Sequence, residues 1–230
     1  MTSTNGKTAL VFGSTGLVGT ELVKQLVTSS EFGKIILVNR SPSGLTSPKV
    51  TELVVDFEKI TDQPQDLLKQ IAEPVHVVFC SLGTTIKKAR SQKAFYRVDH
   101  DYAVMTGKIA DGLNVPVYVG VSAIATALDS TVYYSRVKAE AERDISALPF
   151  AKKSSLHFLR PSLLLGDRKE FRFGERLAIL TAPLFSWMMA GPLKRYKAIQ
   201  ATQVADAMIR FAHHPHPGVH IHENEDLFLS

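Results

Sequence analysis

Tyr134 and Lys138 stand four residues apart in STVYYSRVKAEAE, a stretch with helical spacing, so they share one face of a helix. That pairing carries chemistry. A phenol is a poor acid–base group at neutral pH, and a neighbouring ammonium favours its ionised form. The same lysine has the reach to hold a ribose beside the phenol. Ser122 lies 12 residues before Tyr134, at the end of an apolar run, where its hydroxyl would face the same crevice and polarise a substrate oxygen. Tyr133 competes for the role, but its i+4 partner is Val137, which brings no cation.

A second constellation lies near the start of the chain. GSTGLVG places Gly13, Gly16 and Gly19 between a strand-like run and a helix-like one, with Ser14 and Thr15 adding hydroxyls and Leu17–Val18 between the last two glycines. Glycines at that junction allow a sharp turn and let a pyrophosphate approach the helix N-terminus, where unpaired N–H groups and the helix dipole attract anions. About 20 residues on, where an acid would hold the ribose 2′-hydroxyl of NAD, the chain has Asn39 and Arg40. A guanidinium there suits a 2′-phosphate, so NADP(H) is expected as cofactor and NAD is the less favoured choice. Asp56, with Phe57 after it, closes the third strand, and Ser81, Leu82, Gly83 and Thr84 close the fourth. Both places would border a bound dinucleotide, although an aspartate after a strand is as often a turn former.

The elements that must position these residues follow from the apolar pattern. KTALVFG, KIILVN, VTELVVD, VHVVFCS, VPVYVGVS and SLHFLRP are short Val- and Ile-rich runs, as expected of strands covered on both faces. Helical spacing fills Leu17 to Thr28, Gln65 to Ala72, Gln92 to Leu113 and Tyr133 to Leu148. The alternation predicts an α/β fold: a Rossmann-type doubly wound parallel sheet flanked by helices, with ligands beyond the carboxyl ends of the strands. One NAD(P)-binding domain over 1–230 is expected, in which 162–230, including a helix from Gln203 to His213, forms a small C-terminal cap over the crevice.

Composition sets the outer bounds. The chain has 230 residues, 45% hydrophobic and 21% charged, with a net charge of +5, which excludes disorder as the main state. The basic residues are scattered in groups of three or fewer, so nucleic acid is not an expected partner. Cys80 is the only cysteine and cannot form an internal disulfide, which predicts a reducing, cytoplasmic location. No secretory signal is read at the start. Leu177 to Leu193 is apolar but only 17 residues long and broken by Pro183, Gly191 and Pro192, so stable membrane insertion is not expected.

These residues resemble the short-chain dehydrogenase/reductase superfamily. More narrowly, CSLGTTIKKA, FYRVDHDYA, VGVSA, YYSRVKAEAE and LRPSLLLGDR resemble the atypical Tat-interacting-protein oxidoreductases and their bacterial relatives. The resemblance implies a Rossmann-type reductase using NADPH, with Ser122, Tyr134 and Lys138 as catalytic triad and Arg160 and Pro161 on the nicotinamide side. A structural hydrogen bond explains Arg160 equally well. Two departures stand out. Asp99, in VDHD, occupies the place where the superfamily often has asparagine, and the GxxGxxG loop is shared with epimerases and dehydratases. The expected activity is reduction of a small carbonyl substrate. The rivals are a non-catalytic NADPH-binding regulator with a protein partner, and an NAD-dependent epimerase or dehydratase. A protein partner or a homodimer stays open.

The remaining features carry less. No metal site is expected: five of the eight histidines fall in HHPHPGVHIH with no acid or cysteine among them, and are read as surface residues. Cys80 is read as a buried small side chain, and Lys87, Lys88 and Arg90 as a solvated face. Trp187, Met188 and Met189 line a cavity or fill a core, and Arg168, Arg172 and Arg176 begin the cap.

Overall fold

The computed structural model describes residues 6–166, 196–213 and 215–228. Seven parallel strands make the main sheet: β1 (Lys7–Phe12), β2 (Phe32–Asn39), β3 (Val50–Val54), β4 (Val77–Cys80), β5 (Val117–Val121), β6 (Ser155–Arg160) and β9 (Gly218–Glu223), in the order β3-β2-β1-β4-β5-β6-β9. Two short strands, β7 (Leu164–Leu165) and β8 (Ile199–Gln200), pair separately. The order runs one way from β1 to β3 and the other way from β4 onward, so the loops after β1 and β4 diverge and open a crevice between them.

Alternation along β1 shows why the sheet is covered on both sides. Ala9 and Val11 join one apolar layer, while Leu10 and Phe12 join the other. The first layer takes in α1 (Leu17–Thr28), whose Val18, Leu22, Val23 and Leu26 recur at helical spacing, and α8 (Ala201–Ala212). The second layer is built on α2 (Phe57–Asp62), α3 (Gln65–Leu68), α6 (Tyr102–Gly112) and α7 (Tyr133–Ser146). Two further short helices, α4 (Ile86–Ala89) and α5 (Gln92–Tyr96), follow β4. The doubly wound parallel architecture expected from the apolar runs is therefore present.

Three local expectations differ from the structure. The helix expected from Gln92 to Leu113 is interrupted by a π-helical turn, Arg97–Asp101, between α5 and α6. That wide turn carries Asp99 and His100 inward, where they are 1% and 9% exposed. The helix expected from Gln65 to Ala72 stops at Leu68, and the one expected from Gln203 starts at Ala201, because Gln200 and Gln203 form a reciprocal capping box. Arg168, Arg172, Arg176, the segment from Leu177 to Leu193 with Trp187, Met188 and Met189, and His214 lie outside the described residues.

The seventh strand corrects the surface reading for His222, whereas His213 and His216 are exposed as expected. β9 runs parallel to β6 with His157 opposite His220. His157 Nδ1 and His222 Nε2 share a hydrogen bond of 2.9 Å, and the His222 ring stacks on Phe211 of α8 with centroids 3.6 Å apart. Burial pushes both His157 and His222 down to about 4, and the neighbouring His220 adds to the effect. The unfolded chain would bind protons near the ordinary value of 6.5, so these rings favour folding above that pH. Stability should therefore be constant above about pH 6.5 and decline as the pH falls toward 4. Urea denaturation at pH 7 and pH 5 measures the slope, which His222→Phe should reduce while keeping the stack.

Candidate active site at the sheet crevice

The glycine turn is set by close packing. Gly13 has φ +85°, which favours glycine, and a Cβ there would meet the backbone of Ser81 at 2.8 Å. A Cβ on Gly19 would stand 2.0 Å from the Gly13 carbonyl oxygen. Only with both side chains absent can the start of α1 settle against the ends of β1 and β4. Gly16 is the N-cap of α1 and offers no side chain to its N–H groups, and the first turn has no acid. The helix thus begins with donors directed at the crevice.

A cavity of about 1110 Å³ opens there. Its lining includes Gly13, Thr15, Gly16 and Leu17 from the glycine turn, Arg40 after β2, Phe57 of α2, and Ser81, Leu82, Gly83 and Thr84 after β4. The cavity also takes in Thr20, Glu21 and Lys24, which continue down one face of α1, together with Lys88, Tyr102, Leu165, Gly166 and Ala201. Sequence reasoning read Lys88 as part of a solvated face and missed the rest of this second group. The i, i+4 spacing of Gly16, Thr20 and Lys24 would have signalled the α1 members, whereas those after Leu165 are brought in by the pairing of β7 with β8.

Several expected site residues have other partners. The Ser14 hydroxyl, 1% exposed, donates to Asn39 Oδ1 at 2.8 Å, and Asn39 Nδ2 donates to Glu52 Oε1 at 2.6 Å. The two residues form a buried strut beneath the turn rather than part of the described lining. Val18 and Gly19 are buried in the α1 packing. Asp56 caps α2 by accepting from the Glu58 N–H at 2.9 Å. The Ser81 hydroxyl donates to the Gly13 carbonyl at 3.1 Å, tying β4 to the turn. Arg160 forks onto Glu142 at 3.1 and 2.6 Å and reaches Glu223 at 3.0 Å, joining β6, α7 and β9, as a structural role requires.

None of the three acid–base candidates, Ser122, Tyr134 and Lys138, is among the described lining of this cavity. Ser122 follows β5, is 8% exposed, and its hydroxyl is 3.4 Å from that of Thr126. Its N–H donates to Leu159 O, and Ile124 N–H to Pro161 O, so the ends of β5 and β6 are laced together at this point. Ala125, within the same loop, has φ +59°, a left-handed conformation uncommon for alanine. Tyr134 lies in the first turn of α7 and leans on Phe95, with ring centroids 5.5 Å apart. Tyr133 is turned away, donating from its hydroxyl to Gln92 O at 3.1 Å.

Lys138, one turn further, is buried. Its Nζ lies 2.8 Å from Asp99 Oδ1, and Asp99 Oδ2 accepts from the Thr84 N–H at 2.8 Å. Burial alone would lower the lysine, but the charges of Asp99 and the Tyr134 phenol outweigh it, and the ammonium form is favoured. A Cβ on Gly83 would stand 3.6 Å from that ammonium, so Lys138 sits directly behind a wall of the cavity.

No family model matches the chain. The mitochondrial protein FMP52-1 of Scheffersomyces stipitis is 33% identical over 161 residues, covering 70% of this chain and 69% of that protein. HTATIP2 of Rattus norvegicus is 32% identical over 175 residues, covering 75% and 69%. The solved structure of MoeE5 in complex with UDP-glucuronic acid and NAD shares the fold, with TM-score 0.69 and 19% identity, covering 94% of this chain and 75% of that one. A short-chain dehydrogenase/reductase from Burkholderia thailandensis does so with TM-score 0.65 and 15% identity, covering 97% and 93%.

The fungal names correct one expectation. FMP52 proteins of three yeasts are designated mitochondrial, which overturns the cytoplasmic location read from Cys80. A lone cysteine excludes an internal disulfide but does not distinguish one compartment from another. No helix among the described residues is long and apolar enough to cross a membrane.

The close packing at the turn gives a direct test. Gly19→Ala should leave a folded protein, by circular dichroism, that binds dinucleotide at least about tenfold more weakly in a fluorescence titration, since the helix must move off the crevice. The glycine turn and these identities agree: the chain belongs to the FMP52 and HTATIP2 family.

Proposed function

We propose that this protein is an NADP(H)-dependent oxidoreductase that reduces a small carbonyl compound. The observation that carries the reading is that Gly83 lines the same cavity as the glycine turn and has the Lys138 ammonium close behind it. This supports a reading in which a bound dinucleotide would lie next to Lys138 and the Tyr134 one turn before it on α7. The residues present fit such a cofactor: the side-chain-free N-terminus of α1 suits a pyrophosphate, and the volume of about 1110 Å³ exceeds that of common small-ligand pockets. Arg40, after β2, contributes to the lining, which supports a 2′-phosphate and hence NADP over NAD.

A bound reduced nicotinamide would supply the hydride. The chain's own residues do the rest. Ser122 donates a hydrogen bond to the carbonyl oxygen as negative charge develops there, and Tyr134 delivers the proton to that oxygen. Lys138 holds positive charge beside the phenol, which favours its loss of the proton in the transition state.

Tyr134→Phe should leave the NADPH dissociation constant within about threefold while lowering turnover at least about 100-fold, read as absorbance loss at 340 nm over a panel of aldehydes, ketones and quinones. Unchanged turnover would remove Tyr134 from the chemistry. A non-catalytic sensor of NADPH would instead bind tightly and oxidise it with no member of the panel.

Cofactor choice is tested separately. The wild type should bind NADPH at least about tenfold more tightly than NADH, and Arg40→Ala should narrow that ratio. An equal or reversed preference in the wild type would assign the site to NAD, the dinucleotide held by the MoeE5 structures.

A further inference from the structure

Asp99 is placed with more care than a helix residue needs. It lies in the π-helical turn Arg97–Asp101, an arrangement that interrupts an otherwise continuous helical stretch from Gln92 to Gly112. Turns of this kind are rare and concentrate at functional sites. This one is fastened to α7 on its outer side. His100 Nε2 bonds Asp144 Oδ2 at 3.0 Å, His100 Nδ1 bonds Asp101 Oδ1 at 2.8 Å, and Tyr96 stacks on His100. On its inner side the turn delivers one carboxylate, 1% exposed, to the Lys138 ammonium and the Thr84 N–H.

The groups facing Lys138 come from three elements: Asp99 from the π-turn, Tyr134 from α7 itself and Cys80 from β4. Of these, Asp99 alone brings a carboxylate, in ion-pair contact with the ammonium at 2.8 Å. A buried ammonium without a counter-charge is strongly disfavoured, and the cluster would relieve it by releasing a proton from either the amine or the phenol. With Asp99 present the cluster is neutral while both protons are retained.

We propose that Asp99 is a positioning residue for the Lys138–Tyr134 pair: it fixes the ammonium behind Gly83 and balances its charge, so the pair holds both protons and is ready to donate one. The amide of an asparagine in the same place would supply a hydrogen-bond partner but no charge. The inference rests on the assignment of Tyr134 and Lys138 as the acid–base pair, yet its test needs no substrate, so the two readings fail independently.

Protein labelled with ¹³C at lysine Cε and tyrosine Cζ reports each proton directly by NMR. The two signals are assigned by their loss in Lys138→Arg and Tyr134→Phe. In Asp99→Asn, the first of the two groups to ionise should do so at least about one pH unit below its wild-type midpoint, whereas Asp99→Glu should stay close to wild type. Midpoints unchanged in Asp99→Asn would overturn the proposal and leave Asp99 as a packing residue. Should that variant not fold, the pair Lys138→Met and Lys138→Met/Asp99→Asn gives the same answer without an unbalanced cation. Tyr134 should ionise at lower pH in the double variant than in Lys138→Met, and equal midpoints would sink the idea.

Discussion

The contact between the Cα of Gly19 and the carbonyl of Gly13 governs the geometry of everything above the sheet. Because no Cβ intervenes, α1 starts against the ends of β1 and β4, at the place where the strand order reverses. The helix N-terminus, with its unpaired donors, is then directed into the gap that the reversal creates. Ser81 and the buried Ser14–Asn39–Glu52 strut reinforce the arrangement from below. Hydroxyl and amide groups that a sequence motif would assign to a ligand are here spent on holding the turn in shape.

The far side of the crevice is organised by charge rather than by close packing. Two ionised groups, Lys138 and Asp99, are removed from water together, at a desolvation cost that only a short contact and a further donor can offset. The Thr84 N–H supplies that donor, and it belongs to the loop whose Gly83 lines the cavity. The Lys138–Asp99 ion pair and the cavity wall are therefore one mechanical unit. The bidentate Arg160–Glu142 contact plays a comparable part lower on α7, tying the helix to β6.

The edge of the sheet obeys a different logic. β9 is polar by composition, and it is covered on one side by α8 through a stack of imidazoles and Phe211. Neutral imidazole is flat and apolar enough to fill such a layer, which is why burial keeps His157 and His222 unprotonated. The stability of this edge is thereby linked to acid.

Much of this was legible in the residues themselves. All six apolar runs are strands, and apart from the half-exposed edge strand β3 they are apolar almost throughout, because parallel strands buried on both faces must be. Gly13 and Gly19 announce the turn because only glycine tolerates such approach. The i, i+4 spacing placed Tyr134 and Lys138 on one helix face. β9 escaped because histidines read as polar until a neighbouring ring covers them. The π-turn escaped because one extra residue per turn shifts the helical period without changing the residue types. Asp99 was visible as a departure from asparagine, but its partner lies 39 positions away in sequence (138 − 99) and meets it only across the packed interface of the π-turn with α7. Local chemistry and periodicity are properties of neighbours in the chain. Which charges are buried together, and which hydroxyls are left for a ligand, is decided by contacts that exist only after the layers close.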